Sequence, residues 1–155
     1  MRFLGVPVHV MLVHFPIALW PAHWVLHIAE KLLPAGTAVY AGFWILVAGT
    51  ALGWGAAVCG IFDLANIQAT GSPLDRRNAW SHAVVNGVVL FGFTVLSALE
   101  YSRFPLLRSH GVAILTVEGI LLVLMIVGNH FGGQLVWGIS PTQNPDPPAS
   151  KTTSK

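Results

Sequence analysis

Four histidines, His9, His14, His82 and His130, stand at the ends of long apolar segments. Imidazole binds zinc, copper and iron and supplies axial ligands to haem, so four rings gathered in one place would make a metal or haem site. Counting segments gathers them. The first apolar segment starts beside His9 and His14 and crosses the bilayer, and the second returns and delivers Asp63. The third leaves with His82 in its opening turns, and the fourth returns to end at His130. Four crossings, an even number, separate the first histidine from the last, so parity puts all four at one membrane face.

The elements that must position these residues follow from composition. Hydrophobic residues make up 54% of the 155-residue chain and charged residues 9%, against roughly 25% charged in a soluble domain. Such a chain cannot cover a water-facing surface with charge. Its net charge of +2 reflects scarce carboxylates, and no basic stripe marks a nucleic-acid surface. Cys59 is the single cysteine, which rules out an internal disulfide and reads as a small apolar side chain. The N-terminal run lacks a small-residue cleavage site before Trp20 and is interrupted by His14, Pro16, Pro21 and His23, so it is expected to stay in the mature protein.

A hydrocarbon core of about 30 Å needs about 20 apolar residues in helical form. Four stretches qualify: Met11 to Leu33, Thr37 to about Ala65, Ala79 to Tyr101 and Gly111 to about Leu135. The expected fold is therefore all-α, a four-helix transmembrane bundle over residues 1–138, followed by a flexible Pro/Ser/Thr-rich tail over 139–155. Pro16 and Pro21 leave the carbonyls of Leu12 and Ile17 without helical donors, so the first helix starts near His14 or bends there. Gly49 and Gly53 stand four apart, as do Gly128 and Gly132 around His130, a spacing that lets membrane helices approach closely. Asn78 is the expected N-cap of the third helix, after a polar loop from Asn66. Positive charges near the membrane tie between the two faces, so orientation stays open. No internal repeat is present.

Haem b suits the histidine face, since two rings from facing helices can take both axial positions while a slot of small and aromatic residues accepts the macrocycle. Gly128, Gly132, Gly133 and Gly87 remove bulk there, and Phe15, Phe131, Trp80 and Trp137 offer apolar surface. The same glycines also suit plain helix packing. Asp63 and Asn86 would be outer acceptors that fix the imidazole tautomers. A bare copper or zinc ion, with Asp63 completing a histidine set, is the rival reading, and a cofactor-free structural bundle is a further one.

The runs His9-Val-Met-Leu-Val-His14-Phe-Pro-Ile-Ala-Leu19, Gly60-Ile-Phe-Asp63, His82-Ala-Val-Val-Asn86 and His130-Phe-Gly-Gly-Gln-Leu-Val-Trp137 resemble the motifs of a family of small four-helix bacterial membrane proteins, a domain of unknown function. The resemblance spans nearly the whole membrane portion. It carries over His9, His14, Asp63, His82 and His130, while Val10 stands in place of a usual proline, and Trp137 with Ile139-Ser140 replaces a tyrosine and a Gly-Val ending. It implies the bacterial inner membrane and, since similar proteins are often encoded near c-type cytochromes, an electron-transfer setting.

The remaining polar residues belong to the other half of the bilayer. His23 and His27 are one turn apart, Glu118 lies about two turns into the fourth helix, and His110 precedes that helix. A Glu118 to His27 hydrogen bond is expected, with a second haem or a proton relay as the alternative. His110, beside Arg108, is expected in a hydrated loop. Trp20 and Trp24 lie deep in the first helix and are expected to pack in the core or touch a ligand, not to anchor at the interface. Ser81 next to His82 makes no triad, and no phosphate-binding motif occurs. The function that follows is a haem-binding electron-transfer protein or subunit, not a self-contained enzyme, working in the lipid bilayer with other membrane subunits or a c-type cytochrome. The alternatives are a cofactor-free structural subunit and a metal-handling membrane protein.

Overall fold

The computed structural model describes residues 2–3, 6–32 and 37–137. A short antiparallel pair, β1 (Arg2–Phe3) and β2 (Val6–Pro7), leads into four helices: α1 (Val8–Ala29), α2 (Thr37–Thr70), α3 (Pro73–Tyr101) and α4 (Val112–Trp137). Each helix is long and apolar enough to cross a membrane. The shortest has 22 residues, about 33 Å at 1.5 Å per residue, which already spans a hydrocarbon core. The tail expected over 139–155 lies outside the described residues.

Each helix packs on the next in sequence, and α4 closes the ring more lightly against α1. Trp44, Phe91, Val123 and Ile126 point outward and are exposed, the outward apolar surface that lipid requires and water would penalise. Inside, Trp20 stacks on Phe93 with ring centroids 4.3 Å apart and planes 9° apart, amid Leu46, Val89, Leu90, Leu121 and Met125. The Gly49 and Gly53 pair seats this indole. A Cβ at Gly49 would lie 3.1 Å from Trp20 Cδ1, and one at Gly53 would lie 3.1 Å from Leu90 Cδ1. Because lipid is as apolar as leucine, this close fit and interhelical hydrogen bonds such as Thr50 to Ser97 (3.0 Å) hold the bundle.

Two expectations need correcting. α1 begins at Val8 and is unbroken through Pro16 and Pro21, so His9 and His14 sit within a helix and not before one. The long loop expected over Asn66 to Asn78 is helical except at Gly71 and Ser72. Ser72 caps α3: its Oγ accepts from the Asp75 N–H, the Asp75 carboxylate accepts from the Ser72 N–H, and Pro73 follows at the first helical position, where its missing donor costs nothing. Asn78 is not the cap. It is buried inside α3 and donates to Gln134 Oε1 of α4 at 2.9 Å.

Candidate metal centre

Five ionisable side chains from three helices and one loop meet near the end of the bundle formed by the α3–α4 loop. His23 and His27 point inward from successive turns of α1, Glu100 ends the buried face of α3, Glu118 comes from α4, and His110 comes from the loop before it. None is more than 4% exposed. The i, i+4 spacing puts the two α1 imidazoles on one helix face. α2 makes room by omission, since a Cβ at Gly42 would lie 3.1 Å from both Cδ2 and Nε2 of His27.

The contacts form a chain. His23 donates from Nδ1 to the Gly42 carbonyl (3.0 Å), and its Nε2 lies 3.2 Å from Glu118 Oε1. That same oxygen is 2.6 Å from His110 Nδ1. His110 Nε2 is 2.6 Å from Glu100 Oε1, and His27 Nε2 is 3.4 Å from the same atom. His27 Nδ1 accepts the backbone N–H of His110 (3.2 Å), so its ring proton sits on Nε2. His110 lies outside the membrane-spanning helices. Burial alone would lower its pKa, but close contact with the Glu100 and Glu118 carboxylates and their negative charges outweigh it and hold the imidazole up at about 9.

Even so, the cluster is short of partners. His27 Nε2, both Glu100 oxygens and Glu118 Oε2 are buried without an aligned hydrogen bond. Native interiors rarely leave such groups orphaned. His23, His27, Glu100 and His110 each offer a donor atom within 4.8 Å of the others. Nitrogen and carboxylate donors without thiolate suit divalent zinc, iron, manganese or copper. Two carboxylates also balance a +2 charge, which matters where uncompensated charge is expensive. The rings of His27 and His110 are 4.0 Å apart, too close for a porphyrin to pass between them.

The residues expected from sequence to form a site lie at the other end of the bundle. The structure brings His9 and His82 together, with ring centroids 5.9 Å apart and planes perpendicular. His14 and His130 are exposed, each bonded within its own helix: His14 Nδ1 to the Val10 carbonyl (2.6 Å) and His130 Nε2 to Gln134 Nε2 (2.9 Å). Asp63 is half-buried on α2, one turn beyond Gly60. Asn86 donates to the His82 carbonyl and packs against Gly128, where a Cβ would collide with its amide. A Cβ at Gly132 would lie 2.6 Å from His82 Nδ1, whereas Gly133 and Gly87 face open space. Gly128 and Gly132 thus admit polar side chains of α3 against α4.

Glu118 bonds to His23 and His110, not to His27 as expected, and His110 is 3% exposed and not hydrated. The loop folds inward at His110, whose backbone N–H donates to His27 Nδ1 and whose Nδ1 bonds Glu118. Glu100 was missed by sequence reasoning, since it ends an apolar helix beside Tyr101 and reads as an interfacial charge. Its signal was the company it keeps: three histidines and a second carboxylate in the same half of the membrane. Trp20 is buried as expected, and Trp24 donates to the Leu115 carbonyl at 2.9 Å.

No curated relative and no solved structure matches the chain. A family model does, over residues 5–142, and with that coverage of a four-helix bundle the chain belongs to the family described as "Predicted membrane protein (DUF2231)".

Proposed function

We propose that this membrane protein holds one divalent first-row transition-metal ion at its buried histidine and glutamate cluster, and that this centre is its working part. His23, His27, His110 and Glu100 would be the ligands. Glu118, 2.6 Å from His110 Nδ1, would orient that ring from behind, as the Gly42 carbonyl on Nδ1 would orient His23. The observation that carries the reading is the set of four buried donor atoms left without aligned partners. When bound, the metal supplies a positive charge and, if it is iron, copper or manganese, a redox couple. The chain's own residues exclude water, balance the charge and fix donor directions. Metal entry would require the His27 proton to shift from Nε2 to Nδ1, the His110 amide to turn away from Nδ1, and the His110 Nε2 proton to be released to water.

A redox-active ion here would serve electron transfer in the bacterial inner membrane with other membrane subunits or a c-type cytochrome, the setting read from the sequence. Elemental analysis of the detergent-purified protein and titration of the stripped protein with Co(II) test the proposal. One equivalent should bind at this centre in the parent and in His14→Ala, and none at this centre in Glu100→Gln or His27→Ala. A parent that neither carries nor takes up metal would overturn it.

A second reading has its own observation. Successive groups from His23 through Glu118, His110 and Glu100 to His27 lie within 3.4 Å of one another, and rows of Glu and His of this kind move protons in membrane proteins. Proton flux into proteoliposomes by metal-free protein, abolished in Glu118→Gln, would favour that role.

A further inference from the structure

We infer that the other end of the bundle holds a second, separate transition-metal centre, with His9 and His82 as its two imidazole ligands through Nε2. The inference does not depend on the first centre.

It rests on how the two rings are held. His9 projects from α1, and its Nδ1 lies 2.7 Å from the Ala56 carbonyl of α2. His82 projects from α3, and its Nδ1 lies 2.9 Å from the Gly128 carbonyl of α4. A carbonyl oxygen only accepts, so both rings carry their proton on Nδ1 and keep the lone pair on Nε2. Asn86 agrees with this tautomer: its amide, 3.1 Å from His82 Nδ1, donates instead to the His82 carbonyl. Pinning one ring nitrogen to a carbonyl so that the other faces a metal is the usual support of a histidine ligand.

The bundle's geometry adds direction. α1 and α3 stand diagonally, as do α2 and α4, because each helix packs on its sequence neighbour and α4 closes on α1. The two diagonal partners therefore pin the rings through Nδ1 from different sides, which leaves both rings in the space between α2 and α4. There the rings meet, centroids 5.9 Å apart and planes at 90°. Two metal to nitrogen bonds of about 2.0 Å, with the metal between the rings, put the centroids roughly 6 Å apart. Two glycines from the pinning helices make the fit possible. A Cβ at Gly60 would lie 2.9 Å from His9 Nδ1 and Cε1, and one at Gly132 would lie 2.6 Å from His82 Nδ1. Four helices thus contribute to one site, two with ligands and two with carbonyls and absent side chains.

The donor pair accepts a free copper, zinc or iron ion with other ligands from solvent, or the iron of haem in its two axial positions. The shared chemistry is a metal ion between two imidazole nitrogens, and a spectrum tells the sources apart. His9 precedes His23 by 14 positions on α1, about 21 Å along the helix. The two centres would therefore lie toward opposite membrane faces.

The test uses the full-length protein in detergent, in the parent and in a His23→Ala/His27→Ala background that removes the first centre. Protein expressed with ample haem is examined for a Soret band that shifts on dithionite reduction, and stripped protein is titrated with Co(II). The expected result in the double variant is one haem, or one equivalent of Co(II) with visible absorption and no Soret band. Adding His82→Gln should abolish it, and Gly132→Ala, which displaces the ring without removing a ligand, should weaken it about tenfold or more. Gly133→Ala, which meets open space, should not. A helical double variant by circular dichroism with neither haem nor Co(II) binding would overturn the inference, as would equal losses in Gly132→Ala and Gly133→Ala. If the parent's only metal depends on His9 and His82, the first centre fails and this one stands. If it depends only on His27 and Glu100, the reverse holds.

Discussion

His110 Nδ1 lies 2.6 Å from Glu118 Oε1, so a residue of the α3–α4 connection reaches the interior of the bundle and shares a charged hydrogen bond with the second turn of α4. That bond closes the loop over the cluster and makes the connection part of the site.

It also makes stability depend on pH. The folded pKa of His110 is raised from 6.5 to about 9, so folding favours the protonated ring. The contribution is fully present below about pH 6.5 and is lost as pH rises through about 9. Its size is on the order of 3 kcal/mol, at 1.36 kcal/mol per unit. Metal-free protein in detergent should melt several degrees higher at pH 6 than at pH 10, and His110→Gln should flatten that difference. A parent melting point that is constant between the two values contradicts the pairing.

Glu100 and Glu118 should separate on substitution. Glu100→Gln removes a ligand and should abolish binding at this centre. Glu118→Gln keeps the shape but not the charge behind His110, and should weaken the metal by 10- to 100-fold with stoichiometry unchanged. Paired Co(II) titrations decide it, and equal effects would deny the division of roles.

Gly42 should be intolerant of a methyl group. With its Cβ 3.1 Å from His27 Cδ2 and Nε2, Gly42→Ala should displace that ring and lower metal affinity about tenfold, while exposed Gly87→Ala should not. Affinities for the two variants check this directly.

The cap at Ser72 holds the α2–α3 turn. Ser72→Ala should destabilise the protein by about 1 kcal/mol, read as a lower melting point with unchanged metal stoichiometry. No change would mean that the turn is held by Arg76 Nε on the Gly71 carbonyl instead (3.0 Å).

The four spans were legible because lipid demands long apolar helices, and Gly49 and Gly53 announced the close packing that seats Trp20. The turn was misplaced because the polar stretch from Asn66 looked like a loop, although Ser72, Pro73 and Asp75 spelled a helix start. The cluster was only half visible. His23, His27 and Glu118 could be assigned to one membrane half by counting residues, but whether His110 faces water or the interior depends on how the loop folds, which spacing does not encode. Likewise, parity gathered His9, His14, His82 and His130 at one face, but only helix rotation decides that His9 meets His82 while His14 and His130 turn outward.

X-ray absorption of the metal-loaded, full-length protein tests the central claim most directly, because it reads the donors themselves. To isolate the cluster it is run in a His9→Ala/His82→Ala background. The account predicts three imidazole nitrogens and at least one carboxylate oxygen at about 2.0 to 2.2 Å, with one imidazole lost in His27→Ala. A metal with no imidazole scattering, or a spectrum that His27→Ala leaves unchanged, would contradict it.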